Sequence, residues 1–164
     1  MGRDKALLDV DGLPLAERVA RVLEDAGCSP VVFVGGDAVA LGAVGRRFVA
    51  DRWAGKGPAG GVLSALRALP DADAVVVAAC DLPDLTADVV TRLVSPPPAL
   101  VNVARTDRVE AALACWSPAA ADPLAAAFPA ERALHRLLDG LGAGVRFVDV
   151  DAAALRNVNT PADL

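Results

Sequence analysis

The sequence predicts a single α/β domain with a doubly wound, mostly parallel sheet. Two short runs, residues 31–34 and 74–79, are apolar without alternation, which is typical of parallel strands buried on both faces. Turn signals close both runs, Gly35-Gly36-Asp37 after the first and Cys80-Asp81-Leu82-Pro83 after the second. Helical periodicity follows each turn, and this alternation of strand and helix is the pattern of doubly wound sheets.

The clearest helix is predicted over residues 14–27. Its apolar residues recur at helical spacing, Pro14 stands in its first turn and Gly27 stands at its end. The same criteria predict helices at 37–44, 60–69, 85–93, 118–128 and 131–141, and strands near Phe48 and at 100–104, 111–115 and 145–150. No linker or repeat divides the chain, so residues 1–164 are expected to form one domain.

Composition excludes several classes of protein. Of the 164 residues, 54% are apolar and 23% charged, a balance that favours a compact fold over disorder. No apolar run approaches the ~18 residues of a membrane span, so no membrane partner is expected. A net charge of −5 argues against nucleic acid as a partner. Any phosphate ligand is therefore expected to be small and contacted by a few cations.

Cysteine usage predicts a reducing compartment. Cys28, Cys80 and Cys115 are too few and too far apart for a disulfide framework or a zinc site, and they are interpreted as three buried thiols. The first residues lack the apolar core of a signal peptide. We therefore expect a cytoplasmic protein.

Asp81 is the first candidate site residue. It directly follows an apolar strand, and ligands of open α/β sheets bind outside the carboxyl ends of strands. A carboxylate there could bind Mg²⁺, which prefers oxygen ligands and commonly accompanies nucleotide phosphates. Alternatively, Asp81 caps a helix that begins at Leu82 or Leu85. The residues alone favour neither interpretation.

The glycine-rich segment of residues 55–61 is the second candidate. It leads into a predicted helix, whose first backbone N–H groups can bind an anion, and Lys56 within it and Lys5 near Gly2 could reach a phosphate. The spacings of a P-loop and of a dinucleotide fingerprint are absent. The alternative is a mobile loop without a ligand. Trp53 is expected to wedge against this loop, and His135 to be structural or exposed.

Taken in order, these segments resemble the molybdenum cofactor guanylyltransferase family, within the wider group of Mg²⁺-dependent nucleotidyltransferases of Rossmann-like fold. The resemblance spans nearly the whole chain. Its segments are Met1-Gly2-Arg3-Asp4-Lys5-Ala6-Leu7-Leu8, Gly12-Leu13-Pro14-Leu15, Gly35-Gly36-Asp37, Asp51, Gly57-Pro58-Ala59-Gly60-Gly61, Cys80-Asp81-Leu82-Pro83 and Asn157-Val158-Asn159-Thr160-Pro161.

The resemblance implies transfer of GMP from GTP to the terminal phosphate of molybdopterin, with release of pyrophosphate and with Mg²⁺ as cofactor. By the family pattern, Lys5 contacts the nucleotide phosphates and Asp81 holds Mg²⁺, and both act in catalysis. Asp51 would bind the guanine edge, and Gly35 falls where the family often has a guanine-contacting Asn.

On the substrate side, the resemblance assigns Asn157 and Asn159 to the pterin, whose polar ring system suits amide hydrogen bonds. Glu110-Ala111 departs from the family, which usually carries a Pro-containing segment there. A molybdoenzyme or a cofactor-synthesis protein is the implied protein partner.

A second departure concerns the first residues. The family signature has a strand and Leu-Ala-Gly-Gly-x-Ser-x-Arg before Met-Gly-x-Asp-Lys, whereas this sequence starts at Met1. We favour a start upstream, with Met1 internal, over a damaged chain. Two alternatives to the guanylyltransferase stay open: a cytidylyltransferase acting on the same cofactor, and a non-catalytic, degenerate nucleotide-binding module.

Overall fold

The computed structural model describes residues 5–42, 44–128, 130–158 and 163. The strands of this part are β1 Asp9–Val10, β2 Leu13–Pro14, β3 Val32–Val34, β4 Arg47–Val49, β5 Val75–Ala78, β6 Val101–Arg105, β7 Val109–Trp116 and β8 Val145–Asp149. The α-helices are α1 Leu15–Asp25, α2 Ala38–Gly42, α3 Pro58–Ala68, α4 Ala87–Val94, α5 Ala121–Ala127 and α6 Leu134–Leu141. None of the helices described is both long and apolar enough to cross a membrane.

The strands of the described residues lie in one four-stranded sheet, one parallel pair and one hairpin. β3 pairs with β4 in parallel, and β5, β7, β6 and β8 form a four-stranded sheet in that order. β7 runs antiparallel to both of its neighbours, whereas β6 and β8 are parallel. The α/β class is confirmed. The prediction of a mostly parallel sheet agrees with the four-stranded sheet, in which β5, β6 and β8 run in one direction and β7 runs against them.

Helices cover both faces of the larger sheet, as the doubly wound prediction requires. On one face, α3, α5 and α6 pack around Trp116, which is fully buried. On the other face, α1 and α4 pack against alternate residues of the same strands, such as Leu113 and Cys115 of β7. This alternation follows from the opposite directions of successive side chains along a strand.

Each predicted strand and helix has a counterpart, with two differences. The β1–β2 hairpin was not predicted, because two-residue strands carry no readable periodicity; its turn uses Asp11 and Gly12, both at positive φ. The predicted helix 118–128 is split into a 3-10 turn, Pro118–Ala120, and α5.

The prediction that all three cysteines are buried thiols was wrong. Only Cys115 is buried, and Cys28 and Cys80 are half-buried. Loss of solvent raises the pKa of the Cys115 thiol to about 11, so this group stays protonated at neutral pH.

Arg46 joins helix α1 to the segment before β4 through two carboxylates. Its guanidinium nitrogens lie 2.6 Å from Glu17 Oε2 and 2.5 Å from Glu24 Oε1. The Arg46 and Glu17 side chains are 15% and 13% exposed. Hydrogen bonding to Arg46 lowers the pKa of Glu17 below its ordinary value of 4.5.

Arg46→Ala is expected to lower the free energy of unfolding at pH 7 by roughly 1–3 kcal/mol, because charge-assisted hydrogen bonds are lost. Since the pKa of Glu17 is lowered on folding, this contribution is complete above the ordinary pKa and is lost as pH falls through the lowered one. Urea unfolding at pH 7 and in acid checks both points. Arg21→Ala is the control, because Arg21 bonds Glu17 from a more exposed position; an equal loss in both variants would contradict the assignment.

Candidate active site

Asp81 lies just beyond the carboxyl end of β5, and its side chain is 10% exposed. Lys5 Nζ donates a hydrogen bond to Asp81 Oδ2 over 2.5 Å. Helix α4 begins only at Ala87, after Thr86 at the N-cap, so the alternative in which Asp81 caps a helix at Leu82 or Leu85 was wrong. The Asp81 carboxylate therefore pairs with the Lys5 ammonium group and does not cap a helix.

A cavity of about 260 Å³ lies beside this pair, and we call it the Asp81 pocket. Lys5, Asp81 and Asn157 all line it, although they are far apart in the sequence. The chain returns to Asp81 near its end, where Val158 N donates a hydrogen bond to the Asp81 carbonyl oxygen over 3.0 Å. Three residues predicted for the site are therefore brought together, while Asn159 lies outside the described residues.

Glu110 also lines the Asp81 pocket and was not predicted as a site residue. It accepts hydrogen bonds from Arg108 Nε at 2.8 Å and from Thr106 Oγ1 at 3.1 Å. The sequence feature that could have identified Glu110 as a site residue is its departure from the family pattern. A register shift in the pairing of β6 with β7, at Val103/Ala104, adjoins the position of Glu110 and could not be predicted from the apolar pattern.

Asp51 follows β4 and forms a second group of polar atoms. Its Oδ1 accepts hydrogen bonds from Trp53 N and from Ser64 Oγ, both at 2.9 Å. Ser64 belongs to α3 and is 2% exposed, so its hydroxyl fixes the carboxylate from a rigid position. Within the described part of the chain, Asp51 Oδ2 receives no hydrogen bond and stays available as an acceptor.

Gly35 and Gly60 lie against Asp51. Gly35 has a φ of 70°, and a Cβ placed there would lie 3.2 Å from Asp51 Cβ. A Cβ on Gly60 would lie 2.9 Å from Trp53 Cβ and 3.4 Å from Asp51 Oδ1. Sequence analysis assigned Gly35 and Asp51 to one subsite, and the structure places them side by side.

Trp53 occupies the position expected for it. Its ring packs edge-to-face on Phe128, with the ring centroids 5.8 Å apart. It lies partly buried against the apolar core, beside the loop that leads into α3. His135 is exposed on α6, which is one of the two roles predicted for it.

The amino end of α3 adjoins both groups. Gly57, with φ 85°, precedes Pro58, no side chain caps the helix, and its first turn holds no acidic residue. Pro58 lines the Asp81 pocket, and Gly60 contacts the Asp51 group. Pro58 has no N–H group and Gly60 N donates to the Gly57 carbonyl oxygen at 3.1 Å, so it is chiefly the partial positive charge of a helix start without a side-chain cap that suits this end of α3 to an anion.

The donor set suits a metal that is shared with a ligand. No cluster of three or more His, Cys, Asp or Glu side chains that could hold a metal occurs within residues 5–42, 44–128 and 130–158. Mg²⁺ commonly uses only one or two carboxylates and completes its shell with water and substrate phosphates. Asp81 and Glu110, which both line the Asp81 pocket, fit that pattern.

Carboxylates at the carboxyl ends of strands, beside an open helix start, are typical of α/β proteins that bind phosphate-bearing ligands. Comparison with known proteins agrees with this class. The model of the MobA-like NTP transferase domain matches residues 1–146. The chain belongs to that family.

The relatives and a solved structure agree with this placement. A molybdenum cofactor guanylyltransferase of Rhodobacter capsulatus is 33% identical over 168 residues, covering 100% of this chain and 86% of the relative. A second such protein, described as probable, from Opitutus terrae is 42% identical over 89 residues, which cover 53% of this chain and 44% of the relative. The molybdopterin-guanine dinucleotide biosynthesis protein A of Archaeoglobus fulgidus superposes with a TM-score of 0.73 at 25% identity, over 99% of this chain and 87% of that one.

Proposed function

We propose that this protein is a molybdenum cofactor guanylyltransferase, which transfers GMP from GTP to molybdopterin and releases pyrophosphate. The observation that carries the proposal is the contact between Lys5 and Asp81 at the end of β5, close to the open start of α3. The family match and the named relatives support the reaction class. A cytoplasmic location and a molybdoenzyme or cofactor-synthesis partner stay predictions from the sequence.

The phosphate side of the site uses Lys5, Asp81 and the partial positive charge at the start of α3. Lys5 is 45% exposed at its side chain and can turn from Asp81 toward a triphosphate without losing a buried position. Asp81 would hold Mg²⁺, which when bound neutralises charge on the phosphates. The start of α3 adds a partial positive charge that needs no side chain.

The base side uses Asp51 and Gly35. Asp51 Oδ1 is occupied by Trp53 N and Ser64 Oγ, which leaves Oδ2 to accept hydrogen bonds from the N–H groups of the guanine edge. Gly35 has no side chain that would close the space beside this carboxylate. On the other side, Asn157 in the Asp81 pocket would contact the pterin, together with Asn159.

The reaction asks little of side-chain acid–base chemistry. A phosphate oxygen of molybdopterin attacks the α-phosphorus of GTP, a new P–O bond forms, and the bond to the β-phosphate oxygen breaks to release pyrophosphate. The nucleophile is already an anion, so no general base is needed. The protein aligns the two phosphates and offsets their negative charge.

The direct test is an incubation of the protein with Mg²⁺, molybdopterin and each nucleoside triphosphate in turn, followed by measurement of pyrophosphate and of product mass. We expect pyrophosphate and a GMP adduct with GTP alone. Preference for CTP would assign the protein to the cytidylyltransferase alternative. Nucleotide binding without product would favour the non-catalytic module.

Asp51→Asn tests the base side. The change replaces one carboxylate oxygen by an N–H₂ group, which cannot accept from guanine, so KM for GTP should rise roughly tenfold to a hundredfold. Selectivity against the other triphosphates should fall with it. Asp25→Asn at the exposed end of α1 is the control for the charge change. Equal kinetics in the two variants would show that Asp51 does not contact the base.

A further inference from the structure

Glu110 lies at the edge of the sheet that carries Asp81. β7 runs antiparallel to β5, so the beginning of β7 lies beside the carboxyl end of β5. Ala79 N donates a hydrogen bond to the Ala112 carbonyl oxygen over 2.9 Å, which joins the two strands at this point. The direction of β7 therefore brings the Glu110 side chain to the Asp81 pocket, which it lines.

One oxygen of the Glu110 carboxylate is held and the other is not. Oε1 lies 2.8 Å from Arg108 Nε and 3.1 Å from Thr106 Oγ1, and both partners belong to the turn between β6 and β7. Within the described part of the chain, Oε2 accepts no hydrogen bond. The side chain is 20% exposed, so Oε2 is accessible to a ligand while Oε1 fixes the orientation of the carboxylate.

The same arrangement occurs at Asp51. Its Oδ1 is held by Trp53 N and Ser64 Oγ, and its Oδ2 is the acceptor that the proposed function assigns to guanine. Guanine and a pterin share one ring edge, in which a ring N–H and a 2-amino group donate hydrogen bonds beside a 4-oxo group. A protein that binds both rings needs an acceptor for each of them, and Glu110 is the second carboxylate of this kind.

The rest of the Asp81 pocket suits a ring with one polar edge. Leu82, Leu113 and Leu155 supply apolar lining, and Asn157 supplies an amide that can donate to an oxo group. The volume of about 260 Å³ lies just below the range of sites for drug-sized ligands, so the pocket suits a fused ring system and not a whole nucleotide. Glu110 is the acceptor that such a ring requires.

Arg108 separates this role of Glu110 from that of a metal ligand. Its guanidinium lies on Oε1 and already offsets the charge of the carboxylate. A dication on Oε2 would repel the guanidinium across the same carboxylate, whereas a neutral N–H donor would not. Mg²⁺ can use Asp81 as its only carboxylate, which leaves Glu110 for the substrate.

We propose that Glu110 is a specificity-determining residue, whose Oε2 accepts a hydrogen bond from the 2-amino edge of the pterin, with Arg108 as its positioning residue. This assignment rests on the proposed function, which has a pterin as the second substrate. It adds to Asn157 a residue at the position where the family usually carries a Pro-containing segment. The pocket thereby selects 2-amino-4-oxo rings over rings with oxygen at both positions.

The test compares two free rings, pterin (2-amino-4-oxopteridine) and lumazine (2,4-dioxopteridine), by quenching of their fluorescence on binding. We expect the unchanged chain to bind pterin at least about tenfold more tightly than lumazine. Glu110→Gln should raise the Kd of pterin roughly tenfold to a hundredfold, the range for one hydrogen bond to a charged group. The Kd of lumazine should not rise, because the new N–H₂ group can donate to its 2-oxo oxygen.

Two further variants complete the comparison. Asp149→Asn is the matched control, because Asp149 pairs with Arg105 at 2.7 Å but does not line the Asp81 pocket; both Kd values should stay unchanged. Arg108→Gln alters a side chain that is 70% exposed and leaves the acceptor in place. It should weaken pterin binding less than Glu110→Gln does, with lumazine again unaffected.

The alternative roles of Glu110 give different results. Equal weakening of both rings in Glu110→Gln would indicate a structural role and overturn the proposal. So would unchanged pterin binding, with or without a rise in the KM for GTP or in the Mg²⁺ concentration at half-maximal rate. The ring measurements need no turnover. Selective loss of pterin binding in a chain that forms no GMP adduct would support Glu110 and refute the proposed reaction, whereas adduct formation with unchanged pterin binding would do the reverse.

Discussion

Asp81→Asn is expected to lower Mg²⁺-dependent turnover by about a hundredfold to a thousandfold, which is the range for loss of one charge-stabilising group in an active site. A neutral amide is a poor ligand for a hard dication. The fold should persist, because Asn matches Asp in size and its amide oxygen can still accept from Lys5. Initial rates of pyrophosphate release, at saturating GTP and over a Mg²⁺ titration, measure the effect.

The control for this variant is Asp88→Asn on α4. Asp88 is an exposed carboxylate in the first turn of that helix, so the charge change is the same while the Asp81 pocket is untouched. Its rate should match that of the unchanged protein. If Asp81→Asn retained full turnover with an unaltered Mg²⁺ dependence, the metal would be held elsewhere.

Gly60→Ala is expected to lower the free energy of unfolding by about 1–3 kcal/mol, as for overpacking in a core, and to raise KM for GTP. The added Cβ would meet Trp53 Cβ at 2.9 Å and the Trp53 carbonyl oxygen at 3.1 Å, and backbone cannot yield as a flexible side-chain end does. Asp51 must then shift, because its Oδ1 bonds Trp53 N. Urea unfolding and GTP kinetics measure the two effects.

Gly61→Ala is the matched control. It lies one residue further along α3, and a Cβ there meets no atom within 4 Å. Because alanine favours a helix over glycine by about 1 kcal/mol, this variant should be as stable as the original chain or more stable. Equal destabilisation of both variants would show that helix propensity or the loop, and not the contact with Trp53, decides the outcome.

Local signals predicted most of the architecture. The unbroken apolar runs at residues 31–34 and 74–79 became β3 and β5, and the periodicity after Pro14 became α1. The direction of β7 was not predictable, because an apolar run is equally compatible with parallel and antiparallel neighbours.

The site was predictable residue by residue but not in its contacts. Turn signals and the family resemblance selected Lys5, Asp51 and Asp81, and the structure places Lys5 and Asp81 together, with Asp51 beside Gly35. The sequence could not decide whether Asp81 caps a helix, which depends on where α4 begins. Sequence analysis did not identify Ser64 as a site residue, because it is a single polar residue within an apolar helix. Its hydroxyl nevertheless orients Asp51.

The account depends most on a triphosphate and a divalent metal binding together at Asp81 and Lys5. Paramagnetic broadening of backbone amide signals by Mn²⁺ with GTP measures this directly, since Mn²⁺ can stand in for Mg²⁺ at oxygen ligands. We predict that the amide signals of Asp81, Leu82 and Val158 broaden first, and that Asp81→Asn abolishes the effect. Broadening centred on another part of the molecule, unchanged in Asp81→Asn, would contradict it.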